Sequence, residues 1–432
     1  YEGIHKLEPG HFAVVKAGKV ESFAYWSLRA VVEAGLASPL QGDEATMADQ
    51  LEAMLSAATG RMMVADVPLG AFLSGGIDSS TIVALMQAQS DRPVKTFSIG
   101  FEEARFNEAP YAKAVAEHLG TEHTELYINA KQARDVIPML PQMYDEPFAD
   151  SSQIPTYLVS KLAREHVTVA LSGDGGDEFF GGYTRYMRGP KLWQAMAWMP
   201  RFARLLVARM GLEPAAALLR AIMPQGHYLP FKFTNWADNL DAADQQAFYH
   251  FICSQANHPG QLVRAGEVVV QPNRFDGLPL DYANWMMAQD ALTYLPGDIL
   301  HKVDRASMVV SLEVRIPFFD PEVMALAWSL PPEMKIRGNK GKWLLRQVLY
   351  RHVPRELIDR PKAGFAIPVA EWLRGPLGDW AEDLLAPDTL RAQGYFEVEP
   401  VRRLWEEHKG LKRDRGAVLW NILMFQSWLN HR

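Results

Sequence analysis

Residues 72–81 read Phe-Leu-Ser-Gly-Gly-Ile-Asp-Ser-Ser-Thr. Adjacent glycines, Gly75 and Gly76, part an apolar run from hydroxyls at Ser74, Ser79 and Ser80 and a carboxylate at Asp78. The segment Leu-Gly-Ala-Phe-Leu-Ser (69–74) has the composition of a buried strand, and helical spacing begins near Ser79. Backbone N–H groups and a helix N-terminus then converge on one point, which is the physical makeup of an anion site. A Walker loop, with its Gly-Lys-Ser/Thr ending, is nowhere in the chain. A carboxylate beside a phosphate site makes sense where it holds Mg²⁺. A plain glycine turn with a helix cap is the competing reading, and it accounts for fewer of these residues.

A second constellation occupies residues 171–186, Leu-Ser-Gly-Asp-Gly-Gly-Asp-Glu-Phe-Phe-Gly-Gly-Tyr-Thr-Arg-Tyr. It too follows a strand-like run, Val-Thr-Val-Ala-Leu-Ser (167–172). Asp174, Asp177 and Glu178 crowd negative charge that would repel without a cation, so a metal or a cationic substrate is expected there. An acidic helix N-terminus would explain one of the three carboxylates and leaves the glycines without a reason.

The elements that must position these loops alternate along the chain. Strand-like runs at 69–74, 94–101, 121–128 and 167–172 are separated by helical periods at 79–90, 108–119, 130–143 and 153–165. This alternation predicts βαβ units and an α/β fold with a doubly wound parallel sheet, whose ligands sit at the carboxyl ends of the strands. Both loops would then share one edge. Ahead of the sheet, residues 1–26 read as a short hairpin and 44–60 as a helix. Beyond about residue 183 the chain reads as mostly helical, including an apolar stretch at 192–210 that Arg201, Arg204 and Arg209 interrupt.

Composition narrows the function classes. The 432-residue chain is 48% hydrophobic and 22% charged, which is globular, and its formal net charge of −7 argues against a nucleic-acid binder that tracks the phosphate backbone. Cys253 is the only cysteine, so neither an internal disulfide nor a Cys-rich metal site is available. No run of 18 apolar residues and no signal-peptide pattern is present, from which a cytoplasmic protein without membrane attachment is expected. His118 and His123 lack metal-ligand spacing and read as solvated surface.

The Ser-Gly-Gly-x-Asp-Ser-Ser motif resembles the pyrophosphate loop of the ATP-pyrophosphatase families, which release AMP on activating a substrate. Together with residues 171–186, with 301–320 (His-Lys-Val-Asp-Arg through Arg-Ile-Pro-Phe-Phe-Asp) and with 359–368 (Asp-Arg-Pro-Lys-Ala-Gly-Phe-Ala-Ile-Pro), it is similar in type and order to the glutamine-dependent asparagine synthetase family, specifically its C-terminal synthetase domain. The resemblance implies that Ser74, Gly75, Gly76, Asp78, Ser79 and Ser80 hold the pyrophosphate of ATP and that Asp78 and Asp177 bind Mg²⁺. It implies that Leu73 and Ile99 line the adenine pocket and that Ser172 and Gly173 touch the nucleotide. Lys362 matches the family's catalytic lysine. Asp174 stands where the family often has a glutamate that orients the acyl-adenylate, and the difference weakens any transfer of substrate preference.

Glu313 and Arg315 face the same way if their segment is extended, where they could grip the ammonium and carboxylate of an amino acid; an ordinary salt bridge is the equal alternative. The implied organisation is a glutaminase remnant over 1–36, an ATP-pyrophosphatase core over 37–190 and a helical remainder over 191–432. Residues 1–26 resemble the final stretch of the family's glutaminase domain and no N-terminal cysteine is present, so the chain is expected to be a truncated form that lacks glutamine hydrolysis and uses free ammonia. The expected partners are aspartate or another small carboxylate, such as a sugar acid, and ammonia or glutamine, with no nucleic acid and a homodimer left open. A non-catalytic nucleotide-binding module is the rival from another class.

Overall fold

A computed structural model describes residues 3–101, 107–210, 240, 242–256, 258–264, 273–360 and 367–431. The chain divides into two units. The first comprises Tyr1–Ile128, Thr156–Met187 and Asn273–Ala363, and the second comprises Asn129–Pro155, Arg188–Pro272 and Gly364–Arg432. The stretch expected as one helical remainder, 191–432, is therefore shared between them: residues 273–363 return to the first unit.

The first unit opens on a hairpin of β1 (His11–Lys16) and β2 (Lys19–Ala24), followed by α1 (Leu28–Ala37) and α2 (Glu44–Met62). Asp43 caps α2 by accepting a hydrogen bond from the Thr46 N–H at 2.8 Å. Then β3 (Leu69–Phe72), α3 (Ile77–Ala88), β4 (Lys95–Phe101), α4 (Ala109–Leu119) and β5 (Glu122–Ile128) alternate, and α5 (Gln153–Arg164) precedes β6 (Val169–Leu171). After the short α6 (Gly176–Phe180), the unit resumes with α7 (Leu300–Met308), β7 (Glu313–Arg315), the two-residue strands β8 (Ile336–Arg337) and β9 (Lys340–Gly341), and α8 (Trp343–Leu349).

Five strands form one parallel sheet in the order β5-β4-β3-β6-β7. Numbered by their own succession, that order is 3-2-1-4-5, the doubly wound arrangement, whose switch point lies between β3 and β6. Burial follows from position. Thr96 through Phe101 of β4 and all of β6 are buried, as strands covered on both faces must be. In α3 the run Ser80–Met86 is buried, because α2 and α8 pack against the helix. No helix among the described residues is long and apolar enough to cross a membrane.

Two expectations need correction. His123 is not solvated surface: it lies on β5 opposite Thr96, with Nδ1 2.8 Å from Thr96 Oγ1 and Nε2 3.1 Å from Ser98 Oγ, and burial lowers its pKa. The apolar stretch 192–210 is not one helix. It belongs to two, Thr184–Ala197 and Arg201–Met210, divided just before a proline at 200 that starts the second.

The second unit is helical. It contains α9 (Val369–Arg374), α10 (Val398–Lys409) and α11 (Gly416–Asn430), with Trp405 and Trp420 nearly fully buried. His408, wholly buried, ties these helices together. Its Nε2 lies 3.0 Å from the Ala370 carbonyl, while Nδ1 is 3.1 Å from both the Arg415 N–H and an Arg374 Nη2. Only the tautomer with its proton on Nε2 satisfies all three. The segment Ala-Gly-Glu-Val-Val-Val-Gln at 265–271, read as an interruption of the helical half, lies outside the described residues.

Candidate active site

The loop after β3 turns directly into α3. Gly75 takes φ +69°, and a side chain there would bring its Cβ to 2.8 Å from the Ala112 nitrogen and the Tyr111 carbonyl carbon, so both conformation and space require glycine. Ser74 Oγ accepts from the Gly76 N–H at 3.2 Å and lies 3.1 Å from Ser79 Oγ, which in turn accepts from the Ser74 N–H at 3.2 Å. These hydroxyls hold the loop against the first turn of the helix. Gly76 caps α3 without a side-chain hydrogen bond, which leaves the first-turn amides to face an anion. Leu73 and Ile99 lie buried at the ends of β3 and β4, and the Leu73 N–H continues the pairing to the Phe97 carbonyl at 2.9 Å. Ser80 parts company with the other two serines: it is fully buried, and its Oγ makes no hydrogen bond among the described residues.

The loop after β6 packs onto the first. A Cβ on Gly173 would lie 2.6 Å from the Ser79 nitrogen and 2.8 Å from the Asp78 carbonyl carbon, so this glycine sets how closely the two loops approach. Ser172 donates to Asp174 Oδ2 at 2.5 Å, and its own N–H bonds the Arg315 carbonyl at 2.9 Å. Burial raises the Asp174 pKa, although the Ser172 bond and the charge of Lys302 on α7 oppose it. Glu178 turns inward and accepts from the Tyr183 hydroxyl at 2.7 Å; burial, and then the Asp177 charge, push its pKa up to about 8. The three acids of this segment therefore do not share one cation.

Asp177 instead joins Asp78. Lys342 Nζ lies 2.6 Å from Asp177 Oδ1 and also pairs with Asp78 Oδ2. The β8–β9 hairpin delivers this lysine to the start of α8 in a left-handed conformation, φ 57° and ψ 38°, and its N–H bonds the Phe180 carbonyl at 2.9 Å. Burial alone would lower the Lys342 pKa, but the charges of Asp177 and Asp78 outweigh it and hold the ammonium. Its side chain passes so close over Gly182 that a Cβ there would fall 2.1 Å from Lys342 Cε. Sequence reasoning missed Lys342, because its acidic partners Asp78 and Asp177 are far from it along the chain.

Glu313 and Arg315 do extend together as β7, and they pair with each other, Arg315 Nε to Glu313 Oε1 at 2.7 Å. Arg315 Nη1 donates to the carbonyls of Met62 and Val64, at 2.9 and 2.8 Å, and so closes the end of α2. Lys362 lies outside the described residues. Two positions earlier, Arg360 stacks 4.0 Å over the Tyr111 ring and reaches the Ser74 carbonyl at 3.4 Å and Glu108 Oε1 at 3.5 Å.

Among the described residues no group of three or more acids, histidines or cysteines is placed to hold a metal. Mg²⁺ does not need one: it is usually held by one or two carboxylates together with substrate phosphates and water. Asp78 and Asp177, already converging on one cation beside the loop amides, fit that ion.

The chain is similar in sequence to known proteins. A family model described as asparagine synthase matches residues 50–430. A putative glutamine-hydrolyzing asparagine synthetase of Mycobacterium tuberculosis (strain ATCC 25618 / H37Rv) is 33% identical over 432 residues, covering 99% of this chain and 64% of that protein. Asparagine synthetase [glutamine-hydrolyzing] 1 of Bacillus subtilis (strain 168) is 31% identical over 439 residues, covering 98% and 65%. Amidase chry2 of Gibberella zeae is 22% identical over 445 residues, covering 93% and 64%. The chain thus spans just under two thirds of the length of these relatives.

Proposed function

Because the chain belongs to the asparagine synthase family, we propose that it uses ATP to activate a carboxylic acid and then joins ammonia to it, with the side-chain carboxylate of aspartate as the acceptor. One observation carries this reading: the loops after β3 and β6, at the switch point of the sheet, bring uncapped helix amides, Ser74, Ser79 and the paired carboxylates Asp78 and Asp177 onto one edge. Amides and hydroxyls bind phosphate oxygens there. Asp78 and Asp177 would hold Mg²⁺, which when bound neutralises charge on the pyrophosphate.

The acceptor carboxylate attacks the α-phosphorus, the bond to the β-phosphate oxygen breaks, and pyrophosphate leaves. Ammonia then attacks the acyl carbon, loses a proton and expels AMP. Leu73 and Ile99 offer the buried apolar ends of β3 and β4 to the adenine, with Ser172 and Gly173 beside the nucleotide. Asp174, half-buried in the loop after β6, orients the acyl group. To Lys362 falls the charge that builds on the α-phosphate and then on the tetrahedral carbon.

A second reading keeps the chemistry and changes the acid. It is favoured by the engagement of Arg315 with Glu313 and the end of α2, which leaves the acceptor carboxylate without its expected grip. Release of AMP and pyrophosphate from Mg-ATP and ammonium chloride, measured with and without aspartate, decides between them. The expected result is aspartate-dependent AMP with an equal amount of asparagine. AMP release that aspartate leaves unchanged, but that another acid in a carboxylate panel stimulates, would replace aspartate as the acceptor. No AMP with any acid would end the proposal.

A further inference from the structure

The pair of carboxylates assigned to Mg²⁺ already has a cation. We infer that Lys342 is a resident counter-ion that excludes Mg²⁺ from the free protein, so that the metal enters only with the nucleotide. This rests on the reading of Asp78 and Asp177 as metal ligands.

The ammonium touches both carboxylates at once and is nearly fully buried, with its side chain 6% exposed. A buried site screens charge weakly, so the attraction between Lys342 and the two acids is stronger than at a surface. The backbone holds the lysine in place: Lys342 N–H is bonded to the Phe180 carbonyl, its left-handed conformation starts α8, and the absence of a side chain on Gly182 opens the path its stem follows. Mg²⁺ at the same carboxylates would meet a positive charge within hydrogen-bond reach of both its ligands.

The protein has little to offset that repulsion. Mg²⁺ demands six oxygens in near-octahedral geometry and gives up water reluctantly. Two carboxylates, with no group of three or more metal-ligating side chains among the described residues, do not outcompete both solvent and a resident ammonium. Nucleotide phosphates change the balance in two ways: they add oxygens to the metal, and they add negative charge that can pair with Lys342 once it swings off the acids. A lysine suits the exchange, since its ammonium is a compact charge on a flexible four-carbon stem. Metal and nucleotide affinities are then coupled, and by linkage each raises the other by the same factor.

The test uses Mn²⁺ as the metal probe, its binding to the full chain followed by electron paramagnetic resonance, with and without α,β-methylene-ATP. In the wild-type chain Mn²⁺ should bind at least about tenfold more weakly without the analogue than with it. Lys342→Met should tighten nucleotide-free binding by a similar factor, about tenfold, while Lys342→Arg keeps it weak. Equal Mn²⁺ affinity of wild type and Lys342→Met without nucleotide would overturn the inference alone. Should Lys342→Met fail to fold, the wild type still decides, because Mn²⁺ that binds equally well with and without the analogue overturns it. Asp78→Asn and Asp177→Asn separate the underlying assignment: if neither weakens Mn²⁺ binding in the presence of the analogue, the metal lies elsewhere and both readings fall.

Discussion

Gly173 makes contact where the two glycine-rich loops meet, and only the absence of a side chain lets them approach so closely. Gly173→Ala would press its Cβ against the Ser79 nitrogen and the Asp78 carbonyl carbon, neither of which can rotate away. Parting the loops by a fraction of an ångström shifts the phosphate amides relative to Asp78, and AMP formation should fall about 100-fold while circular dichroism stays native. Wild-type turnover in this variant would show that the loops need not touch. The glycines, serines and acids of both loops were legible in the sequence because their types are improbable together. Lys342 was not: in Asn-Lys-Gly-Lys-Trp it resembles any solvated lysine, and only the fold carries it to Asp78 and Asp177. Glu178 misled in the opposite sense, since a carboxylate beside Asp177 in sequence turns instead toward Tyr183.

Strand β7, three residues long, is an element that the sequence could only suggest. Its hydrophobic pattern is too short to show a period, although the pairing Leu171↔Arg315 makes it the fifth strand of the sheet. The other four strands of the sheet were legible, because covered strands read as apolar runs. His123 shows the limit of that reading: its partners Thr96 and Ser98 lie on the neighbouring strand and are invisible in local spacing. Arg315 is where an element-scale role competes with a substrate role. Arg315→Met removes the hydrogen bonds that end α2, and we expect a loss of about 2–3 kcal/mol in urea unfolding, with the KM for the acceptor changed less than about twofold. A large rise in that KM without loss of stability would return Arg315 to the substrate pocket.

Over the whole molecule, each unit carries a buried base with its own pH signature. In the first, Lys335 is buried, donating to Asn284 Oδ1 at 3.1 Å and lying 4.2 Å over the Trp328 ring. Burial pulls its pKa from the usual 10.5 down to about 7. Between those values the unfolded chain binds more protons, so stability is highest above pH 10.5, declines as the pH falls, and has lost this contribution below about 7. Lys335→Met should flatten that slope and stabilise the unit at neutral pH, by on the order of a few kcal/mol. In the second unit, burial and then the charge of Arg374 bring His408 from 6.5 to about 4. Its contribution is complete above pH 6.5 and is lost as the pH falls toward 4, an acid dependence that His408→Gln should remove. Hydrogen exchange read peptide by peptide separates the two effects. Protection factors around residues 398–430 that are unchanged between pH 6.5 and 4 would contradict the second.

The three-piece thread of the first unit also governs how the protein is made. Its sheet is opened by β3 and finished by β7, and the lysine that balances Asp78 comes later still. During synthesis the loop after β3 therefore leaves the ribosome long before its neighbours exist. Until Glu313–Arg315 emerges, β6 has an open edge, available to any other nascent strand. Such late, long-range pairing folds slowly and exposes aggregation-prone surface. The same sheet order that gathers the two glycine-rich loops at one edge makes the candidate site among the last parts of the chain to be completed, and fragments of the gene that stop before α8 should be recovered mainly as inclusion bodies.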